Sequence, residues 1–580
     1  MNEQMVFDEN GQYMFDTREP IKGFPELRWT GKRPFKSTMY FPAQLKESYG
    51  TDKDGWMNKI FWGDNLQVMS HMLKEFRGKI DLIYIDPPFD SKADYKKKVK
   101  VKEKGTTFSD ISSFEEKQYG DIWTNDEYLQ FMYERFILLK ELLSDTGCIY
   151  IHCDWHKVHH LRMVLDEVFG PDNFRNEIVW WYLWGGRGKT QWNSKHDNIL
   201  FYSKGSSWTF NYMDVLDEHT LMTEGSKNRL NYAGAMVTTK SESSEIPEDK
   251  VLPSDTWYIA TINAMAKEKE NYPTQKPEDL LKKIILASSN PGDIVFDCFM
   301  GSGTTQAVAM KLGRRFIGAD INLGAIQTTT KRLIGIANEL NPTLDGDTKY
   351  TGFEVYNVNN YDFFRNPVEA RDLIISALEI EKFTASSVYD GELDGRMVKI
   401  MPVNRIATKA DLAELIANMP YKTFEQRKAD NPSEPVERIT LVCMGHEPDL
   451  KAALVAATTG YKLDIKIVDI LRDKADLQLK REAEALIVRE GNKLIIKEFY
   501  PMNLMQKLSL QKEYVEEWRQ LVESVMIDFN YDGAVLQPSI MDIPAKNEYV
   551  IGEYDIPEDA GTIKVKITDL LSESLEVEVK

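Results

Sequence analysis

Cysteine is scarce in this chain. Only Cys148, Cys153, Cys298 and Cys443 occur in 580 residues, without framework spacing, which excludes a disulfide-stapled scaffold and suits a reducing cytosol. No apolar run approaches the roughly 20 residues that a membrane span requires. Met1 to Asp16 is polar and acidic, unlike a secretory signal, so the expectation is a cytoplasmic protein with no membrane partner. An excess of positive charge is also missing: the net charge is −19, which argues against coating nucleic acid through overall charge. That acidity is uneven, because −13 of it falls in residues 351–580 and only −6 in the first 350. Internal repeats and low-complexity tracts are absent, which sets aside solenoids and propellers.

What is present is ample core material, with 42% hydrophobic and 11% aromatic residues, in a chain long enough for two to four domains. Lys59 to Trp62 reads as a short strand, Asn65 to Phe76 as a helix and Ile80 to Ile85 as a buried strand ending at Asp86. Helix, strand and helix follow at Asn125 to Leu143, Gly147 to His152 and Lys157 to Phe169. The alternation lapses between about Trp180 and Ser254, an aromatic and basic stretch followed by a Ser/Thr/Glu-rich loop. It resumes with a helix from Glu278, a strand to Phe296, a Gly-rich turn, a helix to Leu312 and a strand from Arg315 to Gly318. The organisation expected is an N-terminal extension (1–50), a catalytic α/β domain (51–179 and 255–345) and an inserted recognition region (180–254). A small α/β domain (351–475) and a β-rich C-terminal domain (476–580) complete it.

Three constellations carry chemistry. Asp86-Pro87-Pro88-Phe89 follows an apolar strand directly, and in open parallel sheets ligands bind at such strand ends. Prolines stiffen that loop and remove amide donors, so its carbonyls stand as acceptors beside the carboxylate, a cage suited to a substrate amino group. Phe89 offers a flat face for stacking a base. An ordinary strand-to-loop turn with an aromatic plug is the other reading of these four residues. The second constellation, Asp297 to Thr305, is a strand, glycine turn and helix start, where backbone can approach a nucleoside cofactor closely. The next strand leads to Asp320, placed to take ribose hydroxyls. A full dinucleotide fingerprint would need a third glycine where Ala307 stands, which disfavours nicotinamide binding. The third piece, Tyr272-Pro273-Thr274-Gln275-Lys276-Pro277, precedes a helix and reads on its own as a helix start.

In this order, Gly63-Asp64, Asp-Pro-Pro-Phe, Tyr-Pro-Thr-Gln-Lys-Pro and Phe-x-Gly-x-Gly-Thr-Thr resemble the β-group amino-methyltransferases of DNA, in which the catalytic motif precedes the cofactor motif. The resemblance spans roughly Arg28 to Asn341. Within that group the chain looks most like the modification subunits of type III restriction systems, through Asp255-Thr256-Trp257 and the run from Gly147 to Asp154. The resemblance implies a Rossmann-like fold with S-adenosyl-L-methionine as cofactor and double-stranded DNA as substrate. It implies that Asp86 and the carbonyl of Pro87 hold the target amine, Pro88 completes the loop and Phe89 stacks on the base. Phe299, Gly301 and Gly303 would cradle the methionine part of the cofactor, with Asp297 and Thr304 in the same motif. Asp320 would take the ribose and Asp64 the adenine end, while Thr274 and Lys276 would lie nearby. The family more often has Tyr at the Phe89 position. Adenine is the implied base, since Asp precedes the prolines, with N(4) of cytosine as the alternative. A DNA-recognition subunit without catalysis is a further one, which the intact glycine turn ranks low. Methylation at carbon 5 would need a thiolate, commonly after proline, and none of the four cysteines follows one.

A restriction or helicase subunit and a second copy of the chain are the protein partners such a system implies. For DNA contact, Lys96, Lys97 and Lys98 lie just beyond the catalytic loop. Trp184, Arg187 and Lys189 belong to a stretch that mixes cations with stacking surfaces. Each group has a plainer reading, a solvated loop for the lysines and an inserted-domain core for the tryptophans. The histidines around His152 and His156 lack a defined ligand set, so no metal is expected.

Overall fold

The computed structural model describes residues 13–14, 25–38, 40–88, 94–100, 113–120, 125–183, 189–190, 192–218, 246–247, 250–263, 266, 268–270, 272, 274–340, 349–358, 371, 374–375, 378–383, 388–403, 406–470, 483–510, 515, 517–545 and 548–579. Phe89, Trp184 and Arg187 lie outside the described residues. Lys96, Lys97 and Lys98 are described only as backbone of the strand Asp94–Lys100, which pairs antiparallel with Ser113–Gly120.

A ten-stranded mixed sheet is built from strands between Ala43 and Val358. Its strands in chain order are β1 (Ala43–Tyr49), β2 (Asn58–Trp62), β3 (Ile80–Ile85), β4 (Leu143–Cys153), β5 (Phe174–Trp181), β6 (His196–Ser203), β7 (Thr256–Tyr258), β8 (Ile294–Asp297), β9 (Arg315–Asp320) and β10 (Phe353–Val358). Their order across the sheet is β7-β5-β6-β4-β3-β8-β9-β2-β10-β1. From β4 to β10 every neighbour pair is parallel. β3 is therefore central, and its side chains from Leu82 to Ile85 are buried on both faces, as a covered parallel sheet demands.

Helices cover both faces. α1 (Asn65–Phe76), α2 (Asn125–Leu142) and α3 (Val158–Phe169) pack on one side. α4 (Glu278–Ser288), α5 (Thr304–Lys311) and α6 (Leu323–Glu339) pack on the other. α1 begins where the Asp64 carboxylate accepts the Leu66 and Gln67 amides. It buries Val68, Met69, Met72, Leu73 and Phe76, a stripe at helical spacing. This doubly wound arrangement is Rossmann-like, as the sequence led one to expect. Strand β3, which ends in Asp86, comes before β8 and the glycine turn in the chain yet lies beside β8 in the sheet.

The domain borders drawn from sequence shift in three places. β1, expected in the N-terminal extension, and β10, expected in the 351–475 unit, both belong to this sheet, joined as antiparallel neighbours at its edge. β6, expected inside the insertion, pairs with β4 and β5. β1 and β10 pair with each other across some 300 residues, and β6 pairs mainly with strands that begin before the drawn border, so local pattern could not assign them.

Beyond β10, a five-stranded sheet spans Glu381 to Asp469 and has its own core around Phe424, Ile439 and Leu441. From Glu484 onward, three-stranded and four-stranded antiparallel sheets share a core around Val525, Val565 and Ile567. This last unit docks on the edge strand β1: Ser48 N–H donates to Leu536 C=O at 3.0 Å, and Leu536 N–H to Lys46 C=O at 2.9 Å. An otherwise open sheet edge is thereby paired. Beside it lies a buried ion pair of Lys566 with Glu47.

Candidate active site

The parallel strands deliver four acidic residues to one rim. Asp86 follows β3, Asp297 ends β8, Asp320 ends β9 and Asp64 follows β2, and these four strands are consecutive neighbours. Loops on that rim approach one another because all four strands point the same way.

Asp86 has two unlike oxygens. Oδ2 is hydrogen-bonded and ion-paired to Lys276 Nζ, a contact made while both side chains are mostly buried. Oδ1 is buried, and among the described residues it has no hydrogen-bond partner. An unmet buried acceptor costs on the order of 1–3 kcal/mol, and no donor among the described residues meets this one. Pro87 is buried and Pro88 half-buried beside it. Lys276, assigned from sequence to the neighbourhood of the cofactor, thus sits on the Asp86 carboxylate. Its carbonyl accepts the Thr304 hydroxyl at 3.3 Å, which ties this segment to the start of α5.

The glycine turn is held from three sides. Gly301 and Gly303 have φ of 53° and 70°, the left-handed region that favours glycine. A Cβ on Gly301 would lie 3.2 Å from the Tyr272 ring, and one on Gly303 would overlap the Thr329 side chain. Asp320 Oδ2 accepts the Gly301 amide at 2.9 Å, and its Oδ1 accepts the Asn322 amide at 2.8 Å. Asp297 is spent on the same turn: Oδ1 accepts the Phe299 amide at 2.9 Å and Oδ2 the Thr305 hydroxyl at 2.7 Å. Burial pushes the Asp297 carboxyl up to about 7; the bonds from Thr305 and Phe299 oppose the rise, and the charges of Asp86 and Asp320 add to it. Burial likewise pushes Asp320 up to about 6, against the pull of its backbone bonds.

The other predicted residues are placed as follows. Asp64 is the α1 cap and also pairs with Arg135 at 3.3 Å, so both its oxygens are engaged. Phe299 is half-buried beside Phe131, with ring centroids 6.2 Å apart. Thr304 is buried and accepts from Arg332 at 3.0 Å. Thr274 is half-buried, in the turn that leads to Lys276. Lys189 is exposed. Among the described residues no group of three or more acidic, histidine or cysteine side chains could hold a metal ion.

Sequence reasoning passed over several supports. Arg332 bridges Ser302 C=O, Thr304 and Glu278 from inside α6. Arg135 links Asp64 to α2 and covers the Phe131 ring at 3.4 Å. Nothing short of the three-dimensional pairing marks either arginine. His152 lies wholly buried between Tyr84 Oη at 2.9 Å and Asp197 Oδ2 at 3.1 Å, and Asp197 also takes the Tyr182 hydroxyl at 3.2 Å. This ladder crosses from β3 to the base of the predicted recognition region, and it gives His152 a structural task. Trp180 is core, its Nε1 bonded to Ile259 C=O at 2.8 Å, whereas Trp181 is exposed.

A carboxylate with one oxygen unpartnered among the described residues thus lies one strand from a glycine turn on the rim of a doubly wound sheet, an arrangement able to hold a substrate donor beside a nucleoside-type cofactor. The residues present fit S-adenosyl-L-methionine: the turn brings backbone to the rim, and Asp320 fixes its shape. Residues 80–331 match the family model described as DNA methylase. The DNA adenine methyltransferase YhdJ of Escherichia coli is 30% identical over 276 residues, which are 47% of this chain and 82% of that protein. The type II methyltransferase M1.MboII of Moraxella bovis is 33% identical over 254 residues, 42% of this chain and 85% of that one. Among solved structures, the M1.HpyAVI–SAM complex aligns with 47% of this chain and 98% of its own at 21% identity, with a TM-score of 0.32, too low to carry weight. The chain belongs to the DNA methylase family, and it is a DNA methyltransferase. Among the described residues no helix is long and apolar enough to cross a membrane.

Proposed function

We propose that this chain methylates the exocyclic amino group of adenine in double-stranded DNA, as the modification component of a restriction or phage-defence system of the type III kind. The observation that carries the reading is the open Oδ1 of Asp86, a buried acceptor one strand from the glycine turn. S-adenosyl-L-methionine supplies an activated methyl on a sulfonium. Asp86 Oδ1 accepts one N–H of the target amine, and the Pro87 carbonyl takes the other, so the nitrogen lone pair is turned toward the donor. Lys276 holds the carboxylate in that attitude by binding its second oxygen. Phe89 stacks on the extruded base. Phe299, Gly301 and Gly303 cradle the cofactor's methionine part; Asp320, Asp64, Thr274, Asp297 and Thr304 shape or line the rest.

Adenine is favoured by Asp at the head of the motif and by the relative named as an adenine methyltransferase. Lys96, Lys97, Lys98, Arg187 and Lys189 meet phosphates, and Trp184 adds a stacking surface. A restriction or helicase subunit, and a second copy of the chain, are the proposed protein partners. The test is to incubate the chain with methyl-tritiated cofactor and unmethylated plasmid DNA, then digest to nucleosides. Label in methyladenosine is the expected result; label in methylcytidine overturns the choice of base, and no label overturns the activity.

A further inference from the structure

Resting on the reading that a base leaves the duplex to reach Asp86, we infer that Trp155 is a second base-stacking surface of the DNA site, whose outward face takes a nucleobase on the rim that carries the Asp86 loop. β3 and β4 are parallel, with Tyr84 opposite Tyr150 and Ile85 opposite Ile151. Asp86 follows the end of β3 directly, and Trp155 stands in the turn that follows the end of the neighbouring strand β4 at Cys153. Trp155 is thus one strand over from the catalytic loop, on the side away from β8 and the glycine turn.

Trp155 is 45% exposed. Its orientation is set. One face is covered by the His156 ring, with centroids 3.6 Å apart and planes 28° apart. His156 is clamped in turn by Asp154, whose Oδ2 lies 2.6 Å from Nδ1 and whose Oδ1 accepts the His156 amide at 3.0 Å. A platform fixed beforehand loses little conformational freedom on binding. Its chemistry favours a base over a phosphate, because the carboxylate of Asp154 at its root repels the DNA backbone, whereas every base offers a π-face. Extrusion also strips stacking partners from the neighbouring bases, and a flat ring on the same rim replaces one of them. The same rim carries a second exposed aromatic pair, Trp181 and Tyr258, opposite each other on β5 and β7 with ring centroids 4.5 Å apart.

The test compares Trp155→Ala, Trp155→Leu and Trp155→Phe in the full chain, by direct binding of unmethylated plasmid DNA and by KM and kcat for methyl transfer. Loss of stacking weakens DNA binding about tenfold or more in the Ala variant. Leu, apolar but not flat, follows Ala, while Phe stays within about threefold of the parent. Cofactor affinity and the salt dependence of binding stay unchanged. DNA affinity unaltered in the Ala or Leu variants, a parallel loss of cofactor affinity, or a flattened salt dependence overturns the inference. A parent chain that binds DNA but transfers no label overturns the proposed reaction instead, and the binding comparison still decides the role of Trp155.

Discussion

Lys276 Nζ grips Oδ2 of Asp86 and leaves Oδ1 open. One lysine thereby joins the segment ahead of α4 to the tip of β3, 190 residues earlier in the chain. The pairing makes the acidic loop directional, with one oxygen committed to Lys276 and the other without a partner among the described residues.

Lys276→Met is expected to lower kcat about 100-fold, the size of effect that small misplacement of a reacting group produces. Lys276→Arg keeps a cation and restores part of the rate. Cofactor affinity, measured by isothermal titration, changes by less than about threefold if the lysine serves Asp86 first; a larger loss of cofactor than of rate would return Lys276 to a purely cofactor-binding role.

Gly303→Ala is expected to cost about 2 kcal/mol or more in urea unfolding, from left-handed backbone and overlap with Thr329 together. Gly313→Ala is the control. It shares a positive φ of 72° but has nothing within 4 Å of the added Cβ, so only the backbone part, about 1–2 kcal/mol, is lost.

Stability should fall as pH rises through the window set by Asp297. Its folded carboxyl titrates at about 7, against an ordinary value of 3.8, so the folded state keeps a proton that the unfolded chain has released. This contribution is fully present below about pH 4 and is lost as pH climbs through about 7. Asp320, at about 6, acts in the same direction. Asp297→Asn keeps both hydrogen bonds, through an amide oxygen to Phe299 and an amide N–H to Thr305. Denaturation midpoints of that variant should vary less between pH 4 and 8 than those of the parent; equal slopes would contradict the assignment.

Lys566→Met strips a mostly buried partner from Glu47 at the junction of β1 with the C-terminal unit. Removing one half of such a pair costs on the order of 3–5 kcal/mol. Limited proteolysis should then release the C-terminal unit sooner than in the parent.

Much of this arrangement was legible in the residues because it is local. Asp64 followed by apolar residues at helical spacing marks α1 at its observed bounds, and the run from Ile80 to Ile85 marks β3. The glycine turn announces itself through Gly301 and Gly303. What escaped depends on partners far away in sequence. The pairing of Val355 with Glu47 builds the sheet edge across some 300 residues, and no periodicity reports it. Trp180 and Trp181 look alike in sequence, yet strand alternation buries one and exposes the other. Asp64, assigned from the motif to the cofactor's adenine end, caps α1 in the structure.

The most direct measurement is methyl transfer to plasmid DNA by Asp86→Ala, set beside its affinity for S-adenosyl-L-methionine by titration. An open acceptor for the target amine predicts that transfer is abolished while cofactor binding stays within about threefold. Retained transfer, or an equal collapse of cofactor binding, would contradict it.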